Sequence, residues 1–436
     1  LGRHEPEIVR IVAPPQFLVR GRSRLDAAEP VEQAVSLKPL DDGRDPAGPL
    51  RVAVTREVLD IGLGGDDAGG GSFFPHATSL PDPPPSGHAR PPAAYAHGTM
   101  GQGYDVIVVG TGGMGVAAAA AIASRGGRVL GLDRFPVGHD RGSSHGQTRL
   151  IRTAYFEHPD YVPLLRRSYA LWRELEAATG RRLLVAAGLL TAGPATGEVV
   201  AGTLHSAALH TLPVETLTPR EAMARWPAFR LPDAWTAVHE PDAGYLFVED
   251  CVAAHADTAT RAGAELRSGE TVRNWRIDHG RVEVETDGGR FHADRLVLCP
   301  GSWAGDLLRL PSIPLTVLRK SLFWHAAGSP AAAVMPCFAF DTPEGFCYGF
   351  PGLDDRGVKV AEHTGGRVVT NPLDIDRAID PEEQSRIEAW IAEYLPAVSP
   401  RRTDHKVCLY TMSPDGHFLL GLHPGHPQVA VAAGFS

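Results

Sequence analysis

Lysine is nearly missing from this sequence. Lys38, Lys320, Lys359 and Lys406 are the only four among 436 residues, although lysine and arginine together number 42. A place that keeps lysine in so arginine-rich a chain is therefore informative. Cysteine is sparse too: Cys251, Cys299, Cys337, Cys347 and Cys408 are odd in number, scattered and without CxxC spacing. That pattern excludes a disulfide framework and a zinc site, predicts no metal, and points to a reducing compartment. No run of 18 apolar residues occurs, which excludes an ordinary membrane-spanning helix. The N-terminus lacks a signal-like apolar core after its basic residues, so a cytoplasmic protein is expected. An excess of positive charge is also missing. The formal net charge of −9 argues against nucleic-acid and anionic-membrane surfaces and leaves a small molecule as the expected partner.

A chain of this length with 43% apolar residues is expected to form two domains. The first hundred residues are poor in large apolar groups. They hold GGDDAGGGS (64–72) and PDPPPSGHARPPAA (81–94), which offer little burial to offset the entropy of ordering. Residues 1–103 are therefore expected to be a disordered extension. Because Leu1 opens the chain while Met100 stands just before a well-patterned strand, residues 1–99 read as upstream sequence that is not native to the folded protein.

From Tyr104 the pattern changes. YDVIVVGTGGMGVAAAAAIASRGGRVLGLDR reads strand, glycine turn, small-residue helix, strand, acid. Gly110, Gly112 and Gly115 fit G-x-G-x-x-G, in which the first allows a tight turn, the second lets a pyrophosphate approach the backbone, and the third lets helix pack on strand. The helix N-terminus then favours the phosphate charge, and Asp133 stands where an adenosine ribose would donate to it. The motif alone does not separate FAD from NAD.

Further on, DYVPLLRRSYALWRELEAATG has helical spacing and a stop at Gly180. TPREAMARWP opens with Thr218, Pro219 and Glu221 as a capping box. RVEVETDGGRFHADRLVLCPGSW alternates, turns at Asp287–Gly288, and ends in an apolar strand followed by Gly301, a position typical of the carboxyl edge where a cofactor lies. DPEEQSRIEAWIAEYLP is a capped helix, and HPQVAVAAGFS closes as a strand into Gly434. Before them, GSSHGQTRLIRTAYFEH sets Arg149 and Arg152 three residues apart. If a helix begins after Gln147, the two cations lie on one face about 5–6 Å apart and need an anionic or electron-rich group between them, or local acids such as Glu157 or Asp160.

The stretches VIVVGTGGMG, GSSHGQTRLIRTAY, ARWPAF, PDAGYLFVEDC, LRK, YGFP, VCLYTMSPDGHFLLGLHP and AAGFS occur in the order and spacing of one family. Over residues 104–436 the chain resembles the monomeric sarcosine oxidase and N-methyltryptophan oxidase family, flavoenzymes of the glycine and D-amino-acid oxidase superfamily. The resemblance implies an α/β fold, a Rossmann-like FAD-binding domain with an inserted α+β substrate domain. It implies residues 104–186, 247–310 and 413–436 in the FAD domain and 187–246 and 311–412 in the substrate domain. It also implies FAD in place of NAD, and a monomer.

The same resemblance implies roles. Arg149 and His145 lie near the flavin ring. Arg152 binds the substrate carboxylate, a task that suits the planar arginine fork better than lysine. Cys408, which by itself reads as a buried core cysteine, matches the residue that forms a thioether with the flavin, Tyr410 matches the active-site tyrosine, and Tyr348 is a further pocket candidate. Lys320, in LRK, is expected to promote the reaction with oxygen, since a fixed cation stabilises the charge that develops on oxygen. His325 is a further pocket candidate. The implied reaction oxidises an N-methyl amino acid with oxygen, giving primary amino acid, formaldehyde and hydrogen peroxide. The alternatives are a flavin dehydrogenase of the same superfamily or an inactive fragment, because members of the family continue beyond AAGFS with a glycine-histidine-glycine-phenylalanine-lysine segment and a helix.

Overall fold

The computed structural model describes residues 103–436, and the expectations for residues 1–102 lie outside them. Along the chain, β1 (Tyr104–Val109), α1 (Gly113–Ala123) and β2 (Val129–Asp133) form the glycine-turn unit. They are followed by β3 (Thr148–Ile151), α2 (Tyr161–Thr179), β4 (Leu184–Val185), β5 (Leu189–Pro194), α3 (Glu198–His210), β6 (Glu215–Leu217), α4 (Pro219–Arg225), β7 (Trp235–Glu240) and β8 (Gly244–Phe247). Next come α5 (Val248–Arg261), β9 (Glu265–Ser268), β10 (Val272–Asp278), β11 (Arg281–Thr286), β12 (Gly289–Leu298) and α6 (Ala304–Leu308). The remainder is β13 (Thr316–Ala327), α7 (Ala331–Val334), β14 (Cys337–Thr342), β15 (Gly345–Phe350), β16 (Val358–Glu362), β17 (Arg367–Val368), α8 (Pro381–Tyr394), β18 (Val398–Met412), β19 (Leu419–His423) and β20 (His426–Ala433).

The local signals act where their chemistry requires. Gly180 caps α2 with φ +68°. Thr218 and Glu221 close a reciprocal capping box on α4, and the Asp380 carboxylate accepts from the Glu382 and Glu383 amides at the start of α8. The segment after Gln147 is a strand, however, and the expected helix does not form. Gly146 and Gln147 have φ of +87° and +74°, which no right-handed helix accommodates, and β3 then pairs antiparallel with β8. Arg149 lies within β3 and Arg152 just past its end, so the two are not stacked on one helix face.

Two large sheets set the architecture. In the first, β20, β12, β1, β2 and β9 run parallel in that order, with β10 and β11 as an antiparallel extension on the first half of β12. Strand β19 pairs antiparallel with the other side of β20, so β20 is an inner strand of this sheet. Alanines of α1 and α5 pack on it, together with Val106, Val108 and Val129. In the second sheet the order is β17-β13-β16-β15-β14-β5-β7-β6, with β18 along the other side of β13. One face packs Phe323, Phe338, Val358 and Val360 against Ile387, Trp390 and Ile391 of α8. On the opposite face, Leu322, Trp324, Ala361 and Cys408 cluster with Tyr348.

Candidate active site

At the carboxyl edge of the parallel sheet lies a cleft of about 320 Å³. Its floor is the glycine turn. A Cβ on Gly110 would overlap the Cys299 carbonyl and one on Gly115 the Gly110 carbonyl, whereas one on Gly112 would meet nothing within 4 Å and point into open space. Helix α1 has no side-chain cap at Gly112, so its first-turn amides face that space; the Gly113 amide donates to Ser144 Oγ at 3.2 Å. Asp133, at the end of β2, accepts from the amides of Thr111 (2.6 Å) and Phe135 (2.9 Å) while lining the cleft. Gly301, with φ +55°, and Gly434, with φ +72°, line the same wall. Arg134 Nη1, Ser302 Oγ and Thr411 Oγ1 are buried polar atoms of this lining without a partner. An amide-rich helix end, an acid beyond the second strand and orphaned donors fit a dinucleotide.

Where the cleft reaches Ser143 and Thr411 it meets the second sheet. Ser143 Oγ donates to the Leu409 carbonyl, and Arg149 donates to the Ser143 carbonyl. Arg149 also donates to the Thr148 carbonyl, from Nη1 at 2.7 Å, and lies against Cys408, Nη2 to Sγ at 3.4 Å. Strand register then gathers a group of residues on one face. Tyr410 and Cys408 stand opposite Leu318 and Lys320, Trp324 and Leu322 opposite Lys359 and Ala361, and Ala361 opposite Tyr348. The Tyr348 and Tyr410 hydroxyls are 3.3 Å apart, and His363 Nδ1 lies 3.4 Å from Tyr410 Oη.

Burial keeps most of this group neutral. Desolvation raises both phenols, that of Tyr410 well above the ordinary range. It pushes the His363 imidazole down to about 4, aided by the Lys320 and Arg152 charges. His145 is likewise pushed to about 4, by burial first and by Arg149 second.

The family described as FAD dependent oxidoreductase matches residues 105–436. The chain belongs to this family. It is 40% identical over 345 residues to a protein of Streptomyces avermitilis named monomeric sarcosine oxidase, covering 77% of this chain and 90% of that one. It is 34% identical over 339 residues to a Yersinia pestis protein named N-methyl-L-tryptophan oxidase, covering 76% and 90%. Among solved structures it resembles the open form of NikD, an unusual amino acid oxidase essential for nikkomycin biosynthesis, with a TM-score of 0.69 and 28% identity over 77% of this chain and 90% of that one. The protein is thus an FAD-dependent oxidoreductase, and the cleft is the place where its residues fit FAD.

In this oxidoreductase the expected site residues do not all meet. Arg152 lies one residue beyond β3, with its guanidinium on Glu157 (Nη2 to Oε1, 2.9 Å) and over the Tyr155 ring at 4.4 Å; the local acid weighed above is therefore its partner. His325 is fully buried in β13, opposite Val358. An odd offset from Lys320 turns it to the α8 face, near Glu388, away from the aromatic pocket. Lys320 shares the face of Cys408, but its three protons are taken by the carbonyls of His363, Thr364 and Gly365 at 2.7, 2.7 and 2.6 Å.

Sequence reasoning passed over Lys359, which is 1% exposed. Its Nζ donates to the Gly146 and Thr148 carbonyls at 2.6 and 3.0 Å, beneath the turn that carries Arg149. Desolvation, and then Arg149, hold its amine well below the ordinary lysine range. The available signal was a lysine inside the apolar strand GVKVA in a chain with four lysines. His363 was missed with no motif to mark it, and Glu249 was missed although it lies in PDAGYLFVEDC.

Proposed function

We propose that this FAD-dependent oxidoreductase oxidises the C–N bond of a secondary, N-methyl amino acid to an imine with oxygen as acceptor, and that water hydrolyses the imine, giving primary amino acid, formaldehyde and hydrogen peroxide. The observation that carries the reading is the continuity of the FAD cleft, through Ser143 and Thr411, with Arg149, Cys408 and the neutral pair Tyr410–Tyr348. The named activities of the Streptomyces and Yersinia relatives support it. Bound FAD supplies the two-electron chemistry, taken from the amine and passed to oxygen.

The chain's own residues bind and orient. Arg152 receives the substrate carboxylate in exchange for Glu157, whose carboxylate its Nη2 holds. Tyr348, Tyr410 and neutral His363 form a wall of low charge, which favours the unprotonated amine that the reaction needs, because an ammonium has no lone pair to give. Cys408 provides the thiol for a thioether to the flavin. The cation that aids the oxygen step is, in this reading, Lys359 in place of Lys320: Lys359 adjoins Arg149 and Cys408, while the Nζ of Lys320 is drawn to the carbonyls of the 363–365 loop. Residues 187–246 and 311–412 serve as the substrate domain, and the protein acts as a monomer.

A panel of N-methyl, cyclic and primary amino acids, offered to the FAD-loaded chain, tests the reading. Equal amounts of peroxide and formaldehyde from an N-methyl amino acid are expected. Turnover with an artificial electron acceptor and no peroxide would establish the dehydrogenase instead.

A further inference from the structure

The turn between His145 and Arg149 is gripped from both sides. Gly146 and Gln147 are left-handed, at φ +87° and +74°, and a residue with a Cβ keeps that strained conformation only where its surroundings impose it. On one side, Glu249 Oε1 accepts from the Gly146 amide at 2.7 Å, and both Glu249 oxygens accept from the Gln147 amide at 3.1 Å. On the other side, the Gly146 and Thr148 carbonyls accept from Lys359 Nζ. The Gln147 side chain completes the grip, donating to Asp354 at 2.9 Å and accepting from the Trp324 indole at 2.8 Å.

An acid in the first turn of a helix has an ordinary use, since it complements the helix dipole. Glu249 occupies such a place on α5. Yet its carboxylate is bonded to the amides of another segment, not to its own helix.

We propose that Glu249 is a positioning residue: by holding the Gly146 and Gln147 amides it turns the Gly146 and Thr148 carbonyls onto Lys359, and so fixes that amine and Arg149 at the flavin end of the cleft. This rests on the reading of that end as the place of reaction. Among the groups that act on Lys359, Arg149 and Arg356 disfavour its charge, and Cys408 and Glu249 favour it; Asp354, on the Gln147 side chain, is already paired with Arg356. Removing the Glu249 charge makes the ammonium form harder to keep.

Two measurements on the full chain test this. The first needs no turnover: hydrogen exchange, read by mass spectrometry on the FAD-free protein. Glu249→Gln should speed exchange of the 142–150 segment at least tenfold and leave 252–261 of α5 unchanged. Faster exchange in α5 with an unchanged turn would reduce Glu249 to a helix-dipole residue and overturn the proposal. If Glu249→Gln fails to fold, Glu249→Asp, whose shorter arm cannot reach both amides, should show the same local loss.

The second measurement follows reoxidation of the reduced, FAD-loaded protein by oxygen as a function of pH. Glu249→Gln should move the high-pH limb down by at least half a pH unit, and it should add nothing in a Lys359→Met background. An unmoved limb in Glu249→Gln, or a shift that persists without Lys359, overturns the link between the two residues. Faster exchange in a protein that turns over no amine upholds the grip on the turn and overturns the proposed function.

Discussion

At the scale of single residues, chemistry is decided by what occupies each polar atom. Lys320 and Lys359 are both buried lysines bonded to backbone carbonyls, yet one holds the 363–365 loop and the other holds the Gly146–Thr148 turn beside Arg149 and Cys408. Lys359→Met is therefore expected to leave anaerobic flavin reduction nearly intact and slow reoxidation at least tenfold, whereas Lys320→Met should lower thermal stability with little change in either half-reaction. Stopped-flow measurement of the two steps distinguishes them, and the reverse pattern would exchange the roles. Arg152→Ala removes a charge-assisted contact and should weaken substrate binding by about 1.5–3 kcal/mol, seen as a raised KM while flavin reduction persists at high substrate. Cys408→Ala should release yellow flavin on acid precipitation, and the unmutated chain should retain it.

At the scale of elements, the glycine turn is the unit whose parts are separable. Gly115 is packed against the Gly110 carbonyl, so Gly115→Ala must push α1 off β1. Gly112 has φ −70° and open space where a Cβ would stand, so Gly112→Ala keeps the fold and intrudes on the cofactor. The expected outcome is an unchanged melting temperature and weaker FAD binding for Gly112→Ala, with loss of both for Gly115→Ala; calorimetry and fluorescence titration read the two. Strand β3 teaches the opposite lesson. The sequence TRLIR permits either a helix or a strand, and what decides is the left-handed pair before it and the open edge of β8 beside it.

At the scale of the whole molecule, the joint between the two sheets is where titratable groups are buried. His145 and His363 titrate near 6.5 when exposed and at about 4 here, because burial disfavours their charged forms. Below about pH 6.5 the unfolded chain takes up protons that the folded one refuses until about pH 4. Stability should therefore fall with pH across that window, by about 1.4 kcal/mol per pH unit for each histidine. Urea unfolding of the FAD-free chain at pH 7, 6 and 5 checks this, and His145→Asn should lower the slope by one histidine's share. Among the described residues no helix is long and apolar enough to cross a membrane.

The sequence by itself determined the local units: the glycine turn and its acid, the caps of α2, α4 and α8, the hairpin at Asp287–Gly288, and the apolar strand that ends at Gly434. Each rests on neighbours within a few residues, where propensity and period are strong. The tertiary structure alone decided which polar residues meet. Cys408 and Arg149 are 259 positions apart, and Lys359 lies 211 positions from the Thr148 carbonyl it holds. Only the registers of β13 with β16 and β18 say that Lys359 faces the site and His325 the α8 core, because shifting a strand by one residue exchanges its two faces.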